Sequence, residues 1–491
     1  MSEQLKFVQL EMMVVVLGLV VLIADLAMPP SKRRLIGHLS AVALGMVFLF
    51  SLRDSYVGLI NESTDLFFNS RYKIDGLAIF FKRFFLLAAI FVLIFAVDFA
   101  DRIRSGISEY YAFIIFALAG MMFASSANDF SMLFVSIELI TVTFYILVSY
   151  QRHRLQSLEA GVKYLILGAV ASAFMIYGIA LIFGEAESLK FEDLYAKQSE
   201  LIGNKVFLFG MLFLFAGLAF KISAFPFQVW APDVYQGAPT PTTAFLALGS
   251  KAAGFVLLIR LLVFSMPDLT REWTALLIAI SAVTILYGNL CALPQRNLKR
   301  LLAYSGIANA GYLLMGIVAQ SEAGTAAILY YLAGYLFALV TVFLIINLLT
   351  REGEGEDISC LENLNKRSPF LAIAMTLAAV SLAGIPPLAG FFGKFLLIKS
   401  VAVEAFGNTG YFALLGVAVF GVVISIYYYF GIVRAIFWNH KADDKTSIFV
   451  GIPIRFALIC CFAGMLYLGL LPNKTMKWVE SAAVSLIEPT E

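Results

Sequence analysis

Residues 369–400 read PFLAIAMTLAAVSLAGIPPLAGFFGKFLLIKS, an apolar run broken in its middle. At 1.5 Å per residue an unbroken helix here would be about 48 Å long, well beyond a hydrocarbon core of about 30 Å. Gly384, Pro386, Pro387 and Gly390 interrupt it, and proline both removes a backbone donor and clashes with the preceding turn. Irregular backbone at membrane depth is tolerated only where protein or a water-filled cavity surrounds it. The stretch therefore predicts a broken membrane helix enclosed by other helices.

The rest of the chain supplies those helices. Its 491 residues are 61% hydrophobic and 14% charged, with mean hydropathy +0.88, whereas soluble domains are roughly half apolar and a quarter charged. Apolar stretches long enough to cross a bilayer recur end to end. They give about fourteen spans, near 7–28, 35–52, 75–97, 108–127, 129–149, 159–183, 204–225, 240–264, 272–292, 298–319, 323–350, 369–400, 409–437 and 449–471. The first run, Phe7 to Met28, ends in Pro29-Pro30 and Lys32-Arg33-Arg34 and reads as a retained span rather than a cleavable signal. Residues 1–491 thus read as one multi-pass membrane domain, and the net charge of +2 without a basic cluster points to no nucleic-acid partner.

Orientation follows from Lys and Arg in the loops. SKRR, DRIR, QRHR, QRNLKR, NKR and the segment with Arg434, Lys441 and Lys445 all follow odd-numbered spans, while ANDF, AQSEAGT and VEAFGNTG follow even ones. The odd loops are expected to be cytoplasmic, with both termini on the non-cytoplasmic side.

A second irregular stretch, SAFPFQVWAPDVYQGAPTPTT, carries Pro226, Pro232, Pro239 and Pro241 and breaks span 7 as residues 384–390 break span 12. Spans 4–8 (residues 108–264) and spans 9–13 (residues 272–437) then form two five-helix repeats, each with its fourth helix broken. Because five is odd, the repeats are inverted with respect to each other. Paired interrupted helices of this kind mark transporter-like sites.

Four spans carry a charge near mid-depth: Glu138 in SMLFVSIELITVTFYILVSY, Lys221 in FLFAGLAFKISAFPF, Lys251 in TTAFLALGSKAAGFVLLIR, and Lys394. Each costs at least about 2.5 kcal/mol to insert, and such residues usually mark ion or proton paths. A buried lysine beside a carboxylate that can approach or withdraw is able to take up and release a proton, and Glu138 is the candidate partner of Lys221. The alternative is a static ion pair that fixes helix packing. Lys394 lies toward the end remote from the cytoplasm, where snorkelling is the alternative. Lys163, one turn beyond Glu159, either lines a cytoplasmic access path or is an ordinary surface residue. Lys82 and Arg83 read as snorkelling side chains, so Lys82 is expected to be dispensable. Asp25, Asp98, Asp129, Arg260 and Arg434 read as residues at span ends.

His38, His153 and His440 lie in or beside loops, so no histidine pair could ligate a membrane haem. Cys291, Cys360, Cys460 and Cys461 fit neither a disulfide framework nor a metal site. No metal and no cofactor is expected in this chain, and any electron transfer belongs to another subunit.

The segments FPFQVWAPDVYQGAPTPTTAFLALGSKAAGF, LKRLLAYSGIANAGYLL and GIPPLAGFFGKF closely resemble the antiporter-like membrane subunits of respiratory complex I, NADH–quinone oxidoreductase, and subunit N in particular. The resemblance covers about residues 110–440. Subunits L and M, and the related subunits of multisubunit sodium/proton antiporters, typically have PDAH where this chain has PDVYQGAPTP. Subunit L also has a long lateral helix, and subunit M usually has glutamate in place of Lys394. The resemblance implies an all-α fold and a proton-translocating subunit in which Glu138 pairs with Lys221, Lys251 is the central relay and Lys394 the terminal one. It places NADH, FMN, iron–sulfur clusters and quinone in partner subunits, subunit M on one side and small subunits such as K, J and A on the other. A bacterial inner membrane is the implied location. Many subunit N sequences have histidine in place of Gln228 and Asn309; here neither position can titrate near neutral pH, though both can order water. A subunit of a cation/proton antiporter, or a subunit that holds its neighbours in an array without conducting, are the competing readings.

Overall fold

The computed structural model describes residues 4–29, 32–53, 56, 58, 68–351, 355–405, 409–438 and 447–484. His440, Lys441 and Lys445 lie outside the described residues. Among the described residues the chain is helical and contains no β-strand.

The apolar runs become helices because a bilayer offers the backbone no hydrogen-bond partner but itself. Spans 1–6 are Gln9–Ala27, Arg33–Ser51, Gly76–Asp98, Ile107–Ser125, Phe130–Val148 and Leu155–Ala186. Spans 7–11 are Lys205–Ile222, 240–265, Thr274–Ala292, Leu298–Val318 and Glu322–Arg351. Span 12 is broken into Pro369–Ala383 and Ala389–Glu404, and spans 13 and 14 are Thr409–Phe437 and Ile452–Leu470. Polar side chains set several starts: Asp75, Asp129 and Asn204 accept from the first free amides of spans 3, 5 and 7. Both predicted breaks are present. Span 7 stops at Ser223, which is left-handed (φ 61°), and the first half of span 12 stops at Gly384 (φ 84°).

The chain forms two compact units, one holding spans 1–8 and the other spans 9–14 together with the short segment Ala224–Gln236. In the first unit, span 8 is the enclosed element, buried along 94% of its apolar window. It is not a regular α-helix, since Leu246–Ser250 and Ile259–Ser265 are π-helical turns on either side of Lys251–Leu258. Such turns are frequent at functional sites. In the second unit span 10 is the enclosed element, buried along its length except at Arg300. Gly390 passes so close to the Ser381 carbonyl that a Cβ there would overlap it, which holds the two halves of span 12 against each other.

Two expectations about charges fail. Lys82 does not snorkel: it is fully buried and ion-paired at 2.9 Å with Glu11 of span 1, also fully buried. Arg260 is not a solvated span end either. It is 0% exposed and grips Asp75 with two bonds, of 2.9 and 3.0 Å, while its Nε donates to the Ser125 carbonyl. Local depth along a helix suggested exposure, but neighbouring spans cover both sites.

Candidate functional site

Lys221 occupies the last turn of span 7, just before the break, and is 4% exposed. Its Nζ donates to Thr141 Oγ1 at 2.5 Å. Thr141 lies on span 5 three residues after Glu138, so the two share one helix face about 5–6 Å apart at Cβ. Glu138 is half-buried and accepts a 2.5 Å hydrogen bond from Ser172 of span 6. The glutamate and the lysine are thus neighbours bridged by a hydroxyl-bearing turn, without an ion-pair contact. That geometry differs from a static salt bridge: each charge is held by a neutral hydroxyl, and either hydroxyl can rotate.

Lys251 is 2% exposed and begins the α-helical part of span 8, directly after the π-helical turn. The absence of a side chain at Gly254 lets span 8 approach the end of span 7, since a Cβ there would lie 2.6 Å from Ile222 Cγ2. Tyr145 of span 5 and Tyr164 of span 6 pack edge to face, with ring centroids 5.2 Å apart. Tyr164 hydrogen-bonds Ser250, the residue before Lys251. The Tyr145 hydroxyl is buried without a hydrogen-bond partner.

Lys394, in the second half of span 12, is 3% exposed and turns back to the end of the first half. Its Nζ donates to the carbonyls of Leu382 (2.9 Å) and Ala383 (3.2 Å) and to Ser425 Oγ (3.5 Å), and sits 5.2 Å from the Tyr312 ring centroid. The broken helix thereby presents its carbonyl-rich, partially negative end to an ammonium. Around it the second unit gathers buried polar groups. Tyr331 donates to Asn309 Oδ1 at 2.8 Å, Tyr428 donates to Asn289 Oδ1 at 3.1 Å, and Ser305 bonds Tyr429. Asn309 Nδ2 and Gln228 Oε1 are buried with no hydrogen-bond partner among the described residues.

Lys163 stands apart. It is 43% exposed and pairs with Glu159 at 2.7 Å one helical turn away. Thr141, Ser172, Tyr164, Ser250 and the tyrosine cluster around Lys394 were not singled out from sequence. Hydroxyl residues are common in membrane helices, and only the facing partner distinguishes these.

A family model described as "NADH:quinone oxidoreductase/Mrp antiporter, TM" matches residues 127–425. Over 99% of its length the chain is 35% identical to NADH-quinone oxidoreductase subunit N of Desulforamulus reducens, all of which is covered. The chain belongs to the NADH-quinone oxidoreductase subunit N family. Another member of this subunit N family, from Opitutus terrae, is 41% identical over 87% of the chain and 86% of the relative. A chain of respiratory complex I from Thermus thermophilus superposes with a TM-score of 0.78 at 29% identity, covering 96% of this chain and 99% of that one. A chain of the Mrp complex from Dietzia has a TM-score of 0.85 but only 19% identity, which shows a shared fold alone. The protein is a multi-pass membrane protein, and its solved structural neighbours are chains of membrane complexes.

Proposed function

We propose that this chain is a proton-translocating membrane subunit of a redox-driven NADH–quinone oxidoreductase. The observation that carries the reading is Lys221. It is buried at a helix break and hydrogen-bonded to Thr141 one turn from Glu138, in a chain that aligns end to end with subunit N proteins. Glu138, Lys221, Lys251 and Lys394 hold and pass protons along the buried polar groups. NADH oxidation and quinone reduction, with FMN and iron–sulfur clusters, take place in partner subunits; this chain carries no redox centre of its own. Moving one charge against 100 mV costs about 2.3 kcal/mol, which electron transfer must supply. Subunit M on one side and small subunits such as K, J and A on the other complete the surroundings, in a bacterial inner membrane with both termini on the non-cytoplasmic side.

The test is Lys221→Ala in membranes energised with NADH. Proton pumping per electron is expected to fall severely while the complex still assembles. Unchanged pumping would remove the site assignment. The antiporter reading rests on shared fold, and sodium-dependent proton exchange without an electron donor is the result that would promote it.

A further inference from the structure

Two buried ion pairs outside the Glu138–Lys394 set meet on span 3, and they are built differently. Asp75 and Arg260 are satisfied: both carboxylate oxygens accept from the guanidinium, and Oδ1 also accepts from the Ala78 amide. Arginine does not give up its proton in proteins. This pair fixes packing. Glu11 and Lys82 are equally buried, at 0% exposure each, but their network is incomplete. Lys82 Nζ reaches Glu11 Oε1 (2.9 Å), Tyr72 Oη (2.7 Å) and Tyr56 Oη (3.4 Å), and Tyr72 donates to the same Oε1 at 2.9 Å. Glu11 Oε2 is buried with no hydrogen-bond partner among the described residues. Removing two charges from water is rarely repaid in stability when the geometry leaves a charged atom unsatisfied.

Tyr72 links this pair to the surface. Its segment is clamped to the turn after span 4 by Lys73 N to Ser126 O (2.9 Å) and Asn128 N to Arg71 O (3.0 Å). Its ring lines an open cavity of about 530 Å³ bordered by Val8, Phe68, Arg71, Phe123 and Met132. Val8 begins span 1, Phe123 lies near the end of span 4 and Met132 near the start of span 5. The cavity is therefore at the end of the bundle opposite the Arg- and Lys-rich loops. Of the other cations nearby, Arg83 is turned away to the Ser51 carbonyl at 2.6 Å, and Arg71, at the cavity rim, faces Asp129 at 3.5 Å.

We propose that Glu11, Lys82 and Tyr72 form a second proton-exchange site, separate from Glu138 and Lys221 and opening through this cavity. The Lys82 ammonium gives a proton to the Tyr72 oxygen as Tyr72 gives its own to Glu11. The ion pair becomes a neutral amine and a neutral acid, and tyrosine is unchanged. Glu11 then returns its proton to the Tyr72 oxygen as Tyr72, the member of the site that borders the cavity, gives its own to water there, and a proton taken up from water by the same route restores the Lys82 ammonium and the pair. This inference rests on the proposed proton-translocating function.

The experiment uses the whole complex in proteoliposomes, with protons pumped per electron as the readout. Lys82→Arg keeps the charge and its pairing but cannot cycle a proton, and Glu11→Leu with Lys82→Met replaces the pair by apolar groups of similar size. Both are expected to assemble and reduce quinone with a lower proton-to-electron ratio. A wild-type ratio in either assembled variant overturns the proposal. So does failure of both to assemble, which would make the pair a structural pin. Lys221→Ala runs alongside: if it also leaves the ratio unchanged, the underlying function fails, and if it alone lowers the ratio, only the second site fails.

Discussion

Gly390→Ala tests whether the broken helix 12 holds Lys394 in place. The added Cβ would overlap the Ser381 carbonyl oxygen, a backbone atom that cannot rotate away. Overpacking a well-packed site usually costs about 1–3 kcal/mol, and a backbone obstacle puts this substitution toward the upper figure. The two carbonyls that follow, Leu382 and Ala383, are the ones that accept from Lys394 at 2.9 and 3.2 Å. Relief of the overlap must move the end of that half-helix, so stability and the lysine site change together. Gly416→Ala in span 13 is the matched control, because among the described residues nothing beyond its own stretch of helix lies within 4 Å of the added Cβ. The assay is the amount of assembled complex on a native gel, then NADH-driven proton pumping normalised to that amount. Gly390→Ala is expected to lower both and Gly416→Ala neither. Equal behaviour of the two alanines would falsify the claim that the Gly390–Ser381 approach sets the geometry at Lys394.

Asp75→Ala strands the buried Arg260 charge and should destabilise the protein by about 3–5 kcal/mol, read as loss of thermal resistance, whereas Asp75→Leu with Arg260→Met should recover most of it. Thr141→Val keeps side-chain shape but removes the acceptor of Lys221, so pumping should fall, though less than for Lys221→Ala; a normal proton-to-electron ratio would show the hydroxyl to be idle. Lys163→Ala removes a surface pair with Glu159 one helical turn away, typically worth about 0.3–0.5 kcal/mol, and assembly on a native gel should be unchanged. An epitope tag at either terminus should be reached by antibody only from the non-cytoplasmic side of sealed vesicles, and labelling from the cytoplasmic side would reverse the orientation.

By itself the sequence determined the order of the apolar helices, the two breaks, and which apolar runs carry a charge. These are local properties. A bilayer forces each apolar stretch of sufficient length to satisfy its own backbone, and proline withdraws a donor wherever it falls, so no knowledge of neighbours is needed. Lys221, Lys251 and Lys394 could be picked out because an isolated charge in an apolar run is conspicuous whatever surrounds it. Partnership was decided by tertiary structure. Asp75 and Arg260 meet across 185 residues, and no local pattern announces that contact. Lys82 looked free to reach an interface because its position along span 3 is near one end, yet span 1 brings Glu11 against it and the loop before span 3 closes over with Tyr72. Packing likewise put Thr141, rather than Glu138 itself, in contact with Lys221. Depth in the membrane is written along one helix, whereas the environment of a charge depends on which other helices lie beside it, and only the assembled bundle fixes that.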